Sequence, residues 1–187
     1  MNPTQAREDD NPQATPTGAD RERFRELLTA DIDITIARDG TWIHEGGAIR
    51  RPALVRLFAG ILHREGEDYF LITPAEKRRI TVEDAPFVAV EVTVEDEGAG
   101  RDLTFRTNVD DTVTAGPDHP IRVAFDGETG EPSPYVLVRE GLEALIARPV
   151  YYELVAMGEL APRDGRQVLV VHSGGAEFIL GYADDER

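Results

Sequence analysis

The sequence predicts an α+β protein in which strands outnumber helices. Most of the chain alternates between apolar and polar residues with the period of two that is typical of strands. Only three stretches have apolar residues at helical spacing. The order strand, turn, strand, helix, strand, strand occurs twice, so we expect duplicated units of this kind. With 187 residues, 41% of them apolar, the chain can bury a core.

The first part of the chain predicts a tail, a helix and a hairpin, in that order. Residues 1–18 contain three prolines and show no apolar periodicity, so we expect a disordered tail. Residues 19–30, ADRERFRELLTA, predict a short amphipathic helix with one apolar stripe, formed by Phe24, Leu27 and Leu28. The next segment, DIDITIARDGTWIHEGG, predicts two strands joined at Asp39-Gly40, since both central positions of such a turn favour positive φ.

A second helix and two more strands complete this first unit. The segment RPALVRLFAGILHRE places Pro52 at the first helical position, where its missing N–H costs nothing. Its apolar stripe is formed by Leu54, Leu57, Phe58, Ile61 and Leu62. DYFLIT and KRRITVED then predict strands around a turn at Pro74.

The middle of the chain, residues 86–126, predicts only strands and loops, and the last third resembles the first. YVLVREG aligns with ITIARDG, and IARPVYYELVA aligns with IRRPALVRLFA, which sets Pro149 on Pro52. QVLVVHSGGAEFILGY then predicts two strands after the helix. We interpret this as a duplication and expect residues 32–84 and 134–183 to superpose. The alternative is convergence, because hairpins and helix starts use the same glycines and prolines for the same reasons.

Composition excludes several classes of function. Twenty basic and 36 acidic residues give a net charge of −16, which disfavours bulk binding of nucleic acid. The absence of cysteine excludes disulfides, thiolate metal sites and cysteine nucleophiles. No run of 18 apolar residues is present, and the polar start is not a secretion signal, so we expect no membrane partner and a cytoplasmic location.

No catalytic motif is complete in this sequence. HEGGA has Ala48 where a zinc helix needs its second histidine, and HSGGA is preceded by Val171 where a nucleophile elbow needs glycine. Glycine-rich phosphate loops are absent. Ser173 beside His172 is interpreted as turn chemistry. His44 and His172 could approach each other across the two units, but we predict no metal, no cofactor and no catalytic residue.

Lys77, Thr107 and Asn108 are candidate ligand-binding residues. Lys77 is the only lysine beside nineteen arginines, which is typical of a position that arginine cannot fill. The alternative is a strand edge guarded by charge. Thr107 and Asn108 end a strand and could offer a donor and an acceptor to a small ligand, or could simply form a turn.

Arg148, Tyr151 and Tyr152 are the other candidates. An arginine beside aromatic residues is the pattern that holds a phosphate and stacks a base. The alternative is that the tyrosines belong to the core with their hydroxyls satisfied. Together the six candidates predict a site for a small anionic ligand.

Several segments, taken in order, resemble a known bacterial family. They are GTWIHEGGAIRRPALVRLF, YFLITPAEKRRITVEDAPF, LTFRTNVDD, AGPDHPIRV, PYVLVREGLEALIARPVYYEL and VVHSGGAEFILG. From about residue 36 to the C-terminus the chain resembles the uncharacterised family called domain of unknown function 1285. The resemblance implies a duplicated α+β core whose C-terminal half is similar to a pleckstrin-homology (PH)-like barrel. It also implies a site for a nucleotide-like ligand between the halves and a role in signal transduction, with no established activity.

These observations predict three parts: a disordered tail over 1–18, an N-terminal α+β domain over 19–84 and a PH-like, β-rich C-terminal domain over 85–187. We expect a non-enzymatic cytoplasmic ligand-binding or sensor module that binds a small anionic, nucleotide-like ligand between its halves. Two alternatives stay open. One is an enzyme that uses Lys77, His44 or Glu76 for acid–base chemistry, and the other is a scaffold that binds a protein partner at a barrel edge.

Overall fold

The computed structural model describes residues 29–97 and 100–183. This part of the chain is mostly β, with fifteen strands and two helices, so the coarse α+β prediction is confirmed. The first half contains strands β1 Thr29–Ile36, β2 Trp42–His44, β3 Gly47–Ala48, β4 Leu62–Glu65, β5 Asp68–Ile72 and β6 Lys77–Val82, with helix α1 Pro52–Gly60 between β3 and β4.

The N-terminal strands form one six-stranded sheet in the order β3-β2-β1-β6-β5-β4. Its two central strands, β1 and β6, are parallel, and the other neighbours are antiparallel. The predicted hairpin at Asp39-Gly40 is confirmed, since β1 pairs with β2, but of the two turn residues only Gly40 has a positive φ, of +83°. The predicted helix start at Pro52 is confirmed as well, but the helix ends at Gly60, so Leu62 of the predicted apolar stripe belongs to β4.

The second half contributes nine strands and one helix. They are β7 Phe87–Glu97, β8 Gly100–Thr107, β9 Thr112–Thr114, β10 Ile121–Phe125, β11 Pro132–Arg139, β12 Leu142–Ile146, α2 Arg148–Met157, β13 Glu159–Arg163, β14 Arg166–Ser173 and β15 Ala176–Tyr182. Strands β7 to β12 form a six-stranded sheet in the order β10-β11-β12-β7-β8-β9, with β12 and β7 parallel. Strands β13 to β15 form a separate three-stranded sheet.

The predicted duplication of residues 32–84 in residues 134–183 is not confirmed. Strands of the first region lie in one sheet, whereas strands of the second are divided between the six-stranded and the three-stranded sheet. The sequence match therefore reflects local chemistry: Pro52 and Pro149 both start helices, and Gly40 and Gly141 both adopt positive φ. Counted along the chain, however, the two six-stranded sheets share one strand order, with the first and sixth strands parallel at the centre.

The predicted helix over residues 19–30 is too long at its C-terminal end. Thr29 and Ala30 belong to β1, where they pair with Lys77 and Arg78. The remainder of that helix and the predicted tail over 1–18 lie outside the described residues.

Both halves contribute to one apolar core. Ile36 and Trp42 from the N-terminal sheet belong to the same buried cluster as Phe105 and Leu142 from the C-terminal sheet. Arg139 also joins the halves, because its guanidinium donates hydrogen bonds to the Asp111 carboxylate and to the carbonyl of Ala59 at 2.6 Å. The two halves are therefore held by apolar and by charged contacts.

We expect deletion of residues 1–18 to leave the melting temperature unchanged within error. The segment has too few apolar residues to bury a significant surface against the folded body. Differential scanning calorimetry of the full and shortened chains measures this directly. A loss of several degrees would show that the segment packs on the body.

Candidate functional site

A cleft of about 550 Å³ lies at the junction of the two halves. Its walls come from three places: the loop between β10 and β11 with the start of β11, the end of β12 with the first turns of α2, and the turn between β1 and β2. The lining residues are Arg38, Asp126, Thr129, Glu131, Pro132, Ser133, Pro134, Leu145, Ile146, Ala147, Arg148, Tyr151 and Tyr152. Arg38 is the N-terminal half's contribution to this cleft.

The first turn of α2 forms one wall of the cleft. The N–H of Ala147 donates to the carbonyl of Ala89, so the chain leaves the sheet at this residue, and Pro149 then favours the start of the helix. No side chain caps the helix, and its first turn has no acidic residue. The first N–H groups of a helix have no partner within the helix, and they give this end a partial positive charge.

Arg148 lies on this wall and forms an ion pair with Glu131. Both side chains are largely exposed, at 66% and 55%, so solvent screens the pair and it contributes little to stability. The Arg148 guanidinium can therefore exchange Glu131 for another anion at small cost.

Arg38 reaches the cleft from the opposite half. Its Nη2 donates to the hydroxyl of Ser133 at 3.0 Å, and its Nε lies 3.2 Å from the carboxylate of Asp84. Its backbone N–H donates to Glu83 at 2.9 Å, which fixes the turn that carries it. The cleft thus has one arginine from each half.

Tyr151 and Tyr152 both line the cleft but differ in their surroundings. Tyr151 is buried, donates its hydroxyl to the carbonyl of Leu180 at 2.7 Å, and has its pKa raised by burial. Tyr151 therefore also serves as the satisfied core tyrosine of the alternative interpretation. Tyr152 is 59% exposed and presents its ring to the solvent side.

The loop opposite α2 supplies negative charge. The Asp126 carboxylate accepts hydrogen bonds from the backbone N–H and the hydroxyl of Thr129 and from the backbone N–H of Glu128. These bonds lower the pKa of Asp126, so it remains ionised at neutral pH. With Glu131 also present, the cleft suits a ligand whose negative charge is confined to one end.

Lys77 does not line this cleft. Its side chain is buried, its Nζ lies 2.6 Å from the Glu65 carboxylate, and the same nitrogen lies 4.2 Å from the centre of the Phe70 ring. The structure therefore does not bring Lys77 together with Arg148 and the tyrosines in this cleft. The ammonium already has a carboxylate partner and an aromatic face, which satisfy a buried cation.

Thr107 and Asn108 also lie outside the cleft. The Thr107 hydroxyl is buried and accepts the N–H of Asp111 at 3.1 Å. Asn108 accepts the N–H of Val88 at 2.9 Å and donates to the carbonyl of Gly40 at 3.2 Å. Both residues therefore build the turn after β8, which was the alternative interpretation, and Asn108 connects this turn to the N-terminal hairpin.

The cleft contains three of the residues predicted from the sequence, Arg148, Tyr151 and Tyr152. It also contains three residues that the sequence did not indicate, Arg38, Asp126 and Ser133. Arg38 follows β1 directly, and nothing in the local pattern indicates that β1 lies beside the second half. The sequence DGETG predicts the loop that carries Asp126, and β10 and β11 pair as a hairpin around it, but no local pattern indicates that this loop faces α2.

Within residues 29–97 and 100–183, no group of three or more histidine, aspartate or glutamate side chains is arranged to hold a metal ion. No helix in this part of the chain is long and apolar enough to cross a membrane.

We expect a chelator to leave the melting temperature unchanged. The chain has no cysteine, and the described histidines and carboxylates do not converge. Scanning calorimetry with and without EDTA checks this. A stoichiometric transition metal in the purified protein would contradict it.

The comparisons with known proteins find one family. Residues 23–85 match the model of a domain of unknown function, the DUF1285 N-terminal domain, and residues 86–180 match the C-terminal domain of the same family. A DUF1285 family protein from Silicibacter pomeroyi is 49% identical, with a TM-score of 0.78 over 87% of each chain. A second, from Shewanella baltica, is 28% identical, with a TM-score of 0.53 over 67% of this chain and 91% of that one. No curated protein matches.

Proposed function

Because the chain belongs to the DUF1285 family, which names no activity, its function has to be inferred from the site, and we propose a non-enzymatic binding or sensor module. The ligand is small, anionic and nucleotide-like, and it binds in the cleft between the halves. The observation that carries this proposal is the uncapped first turn of α2, which forms a wall of the cleft and brings Arg148 and Tyr152 with it.

The chemistry of this wall suits a phosphate or carboxylate with an attached flat group. The N-terminus of α2 and the Arg148 guanidinium favour negative charge, and the guanidinium can make charge-assisted hydrogen bonds. The exposed Tyr152 ring offers a surface on which a base can stack. In the free protein Arg148 forms an ion pair with Glu131, and the ligand would displace Glu131 from this pair.

Binding is favoured over catalysis by the residues that line the cleft. None of them is a histidine, the residue type that most often acts as a base near neutral pH. The Ser133 hydroxyl accepts a hydrogen bond from Arg38, whose positive charge does not activate a nucleophile as a base would. Of the acid–base candidates, neither Lys77 nor His44 nor Glu76 is part of the cleft.

A sensor role is supported by the position of the cleft. Arg38 belongs to the N-terminal half and the other lining residues belong to the C-terminal half, so a bound ligand would tie the halves together. A PH-like arrangement of the C-terminal half, with a signalling role, is part of the same proposal.

A thermal-shift screen tests the proposal with adenosine monophosphate, adenosine and inorganic phosphate as probes. A ligand at about 100 times its dissociation constant stabilises the protein by about 2.7 kcal/mol, which such a screen detects. We expect adenosine monophosphate to raise the melting temperature more than adenosine or inorganic phosphate does. No shift with any nucleotide would overturn the proposed ligand class, and turnover of a nucleotide would favour the enzyme alternative.

We expect Arg148→Ala to weaken binding of that monophosphate by about tenfold or more, since a hydrogen bond to a charged group contributes about 1.5–3 kcal/mol. Arg163→Ala is the matched control, because Arg163 forms an exposed ion pair with Glu177 outside the cleft. Isothermal titration calorimetry measures both. Equal affinities for the two variants would place the ligand elsewhere.

A further inference from the structure

The two faces of the N-terminal sheet differ in what they contact. Register places Phe70 opposite Arg79, and Ile72 opposite Lys77, so these four side chains share one face. Leu71 and Ile80 point to the other face and belong to the main core cluster. The face with Phe70, Ile72 and Lys77 is called the outer face here.

Helix α1 packs on the core side of this sheet. Its Ala59 belongs to the core cluster, and its Phe58 ring stacks on Trp42 with 6.0 Å between ring centres. Strand β5 has its main contacts with its sheet neighbours β4 and β6. The described elements therefore leave the outer face without a covering layer.

Three outer-face residues are nevertheless buried. Phe70 and Ile72 are each 6% exposed and Lys77 is 5% exposed, although none of them belongs to the core cluster. The Lys77 stem and Glu65 account for part of this burial, because the ammonium lies over the Phe70 ring. A side chain on an open sheet face keeps far more of its surface in water, so a further segment must cover this face.

We propose that residues 19–28 cover the outer face as an amphipathic helix. Its apolar stripe, Phe24, Leu27 and Leu28, packs on Phe70, Ile72 and the stem of Lys77. The segment ends next to Thr29, the first residue of β1. Thr29 pairs directly with Lys77, so the segment ends beside the outer face. A ten-residue helix is about 15 Å long. Crossing from β1 over β6 and β5 to β4 takes about 14 Å, because neighbouring strands lie about 4.8 Å apart.

The charges along the outer face also favour residues 19–28 as the covering segment. Exposed carboxylates of Asp31, Glu65 and Asp68 lie along this face. In a helix over residues 19–28, Arg21 and Arg25 lie one turn apart on one flank of the apolar stripe. The arginines therefore meet carboxylates at the edge of the contact while the stripe meets Phe70 and Ile72.

Labelling of an introduced thiol tests the contact in the full chain. The protein has no cysteine, so Ile72→Cys supplies one thiol on the outer face. We expect slow reaction with a maleimide, because the thiol is covered. Adding Leu27→Asp should accelerate labelling by about tenfold or more, since the reagent then reaches a face that opens more often. Glu26→Asp is the matched control, because it introduces the same residue one position away on the opposite side of the helix.

A second test measures the melting temperature of variants in which no residue of the sheet is substituted. Leu27→Asp alone should lower it by about 2–4 °C, whereas Glu26→Asp should leave it within about 1 °C. Fast labelling in the full chain, or equal effects of the two variants, would overturn the proposal. The proposal would also be overturned if protection of the thiol from the maleimide depended on protein concentration and did not change with Leu27→Asp. That result would assign the outer face to a second copy of the chain.

Discussion

Replacing Ser173 with alanine is expected to reduce the free energy of unfolding by about 2–5 kcal/mol, because two buried main-chain groups lose their partner. The Ser173 hydroxyl accepts the N–H of Leu103 at 2.8 Å and donates to the carbonyl of Ala115 at 2.7 Å. Ser173 is buried, so water cannot replace either bond. The residue thus stabilises the contact between the three-stranded sheet and the six-stranded sheet, which is a structural role.

The chain offers a matched control for this variant. Ser133 is the other serine, and its hydroxyl accepts one hydrogen bond from a largely exposed arginine, Arg38. We expect Ser133→Ala to change stability by less than about 0.5 kcal/mol. Urea unfolding of both variants gives the comparison, and similar losses for both would contradict the structural role assigned to Ser173.

Replacing Arg139 with alanine is expected to cost about 2–3 kcal/mol, allowing for the partial exposure of its guanidinium. The side chain donates to Asp111 from the same half and to the carbonyl of Ala59 at the end of α1 in the other half. Its guanidinium also lies 5.1 Å from the centre of the Phe87 ring. Loss of Arg139 therefore removes a contact between the halves and leaves the Ala59 carbonyl without this donor.

Arg139→Lys separates charge from geometry in this contact. Lysine keeps the positive charge but lacks the planar fork that reaches Asp111 and Ala59 together, so we expect an intermediate loss. Arg163→Ala removes an exposed pair and should cost less than about 1 kcal/mol. Scanning calorimetry of the three variants ranks them, and an Arg139→Ala loss no larger than that of Arg163→Ala would contradict the role.

The elements that sequence predicts correctly are local. The hairpin at Asp39-Gly40 depends on the positive φ of Gly40. Each helix start depends on one proline, Pro52 or Pro149, whose ring holds φ at a helical value. The order of the strands depends on pairing between distant segments, which no local pattern specifies. For that reason the sequence match between residues 32–84 and 134–183 does not correspond to a shared strand order.

The candidate site was partly predictable for the same reason. Arg148, Tyr151 and Tyr152 are neighbours in the chain, so their joint presence in the cleft follows from one helix turn. Lys77 is a different case, because its rarity in the sequence says nothing about Glu65 and Phe70, which satisfy it. Arg38 reaches the cleft only because the β1–β2 turn meets the second half.

The parallel pair at the centre of each six-stranded sheet has a consequence for how the protein folds. Asp31 and Arg79, partners across β1 and β6, are 48 residues apart, and the partners Phe87 and Ala144 are 57 residues apart (144 − 87). The hairpins on either side close short loops, whereas each central pair must close a loop that spans its whole six-stranded sheet. Such contact order is typical of folding in milliseconds to seconds, and we expect each central pair to form late, completing its sheet in a single cooperative step.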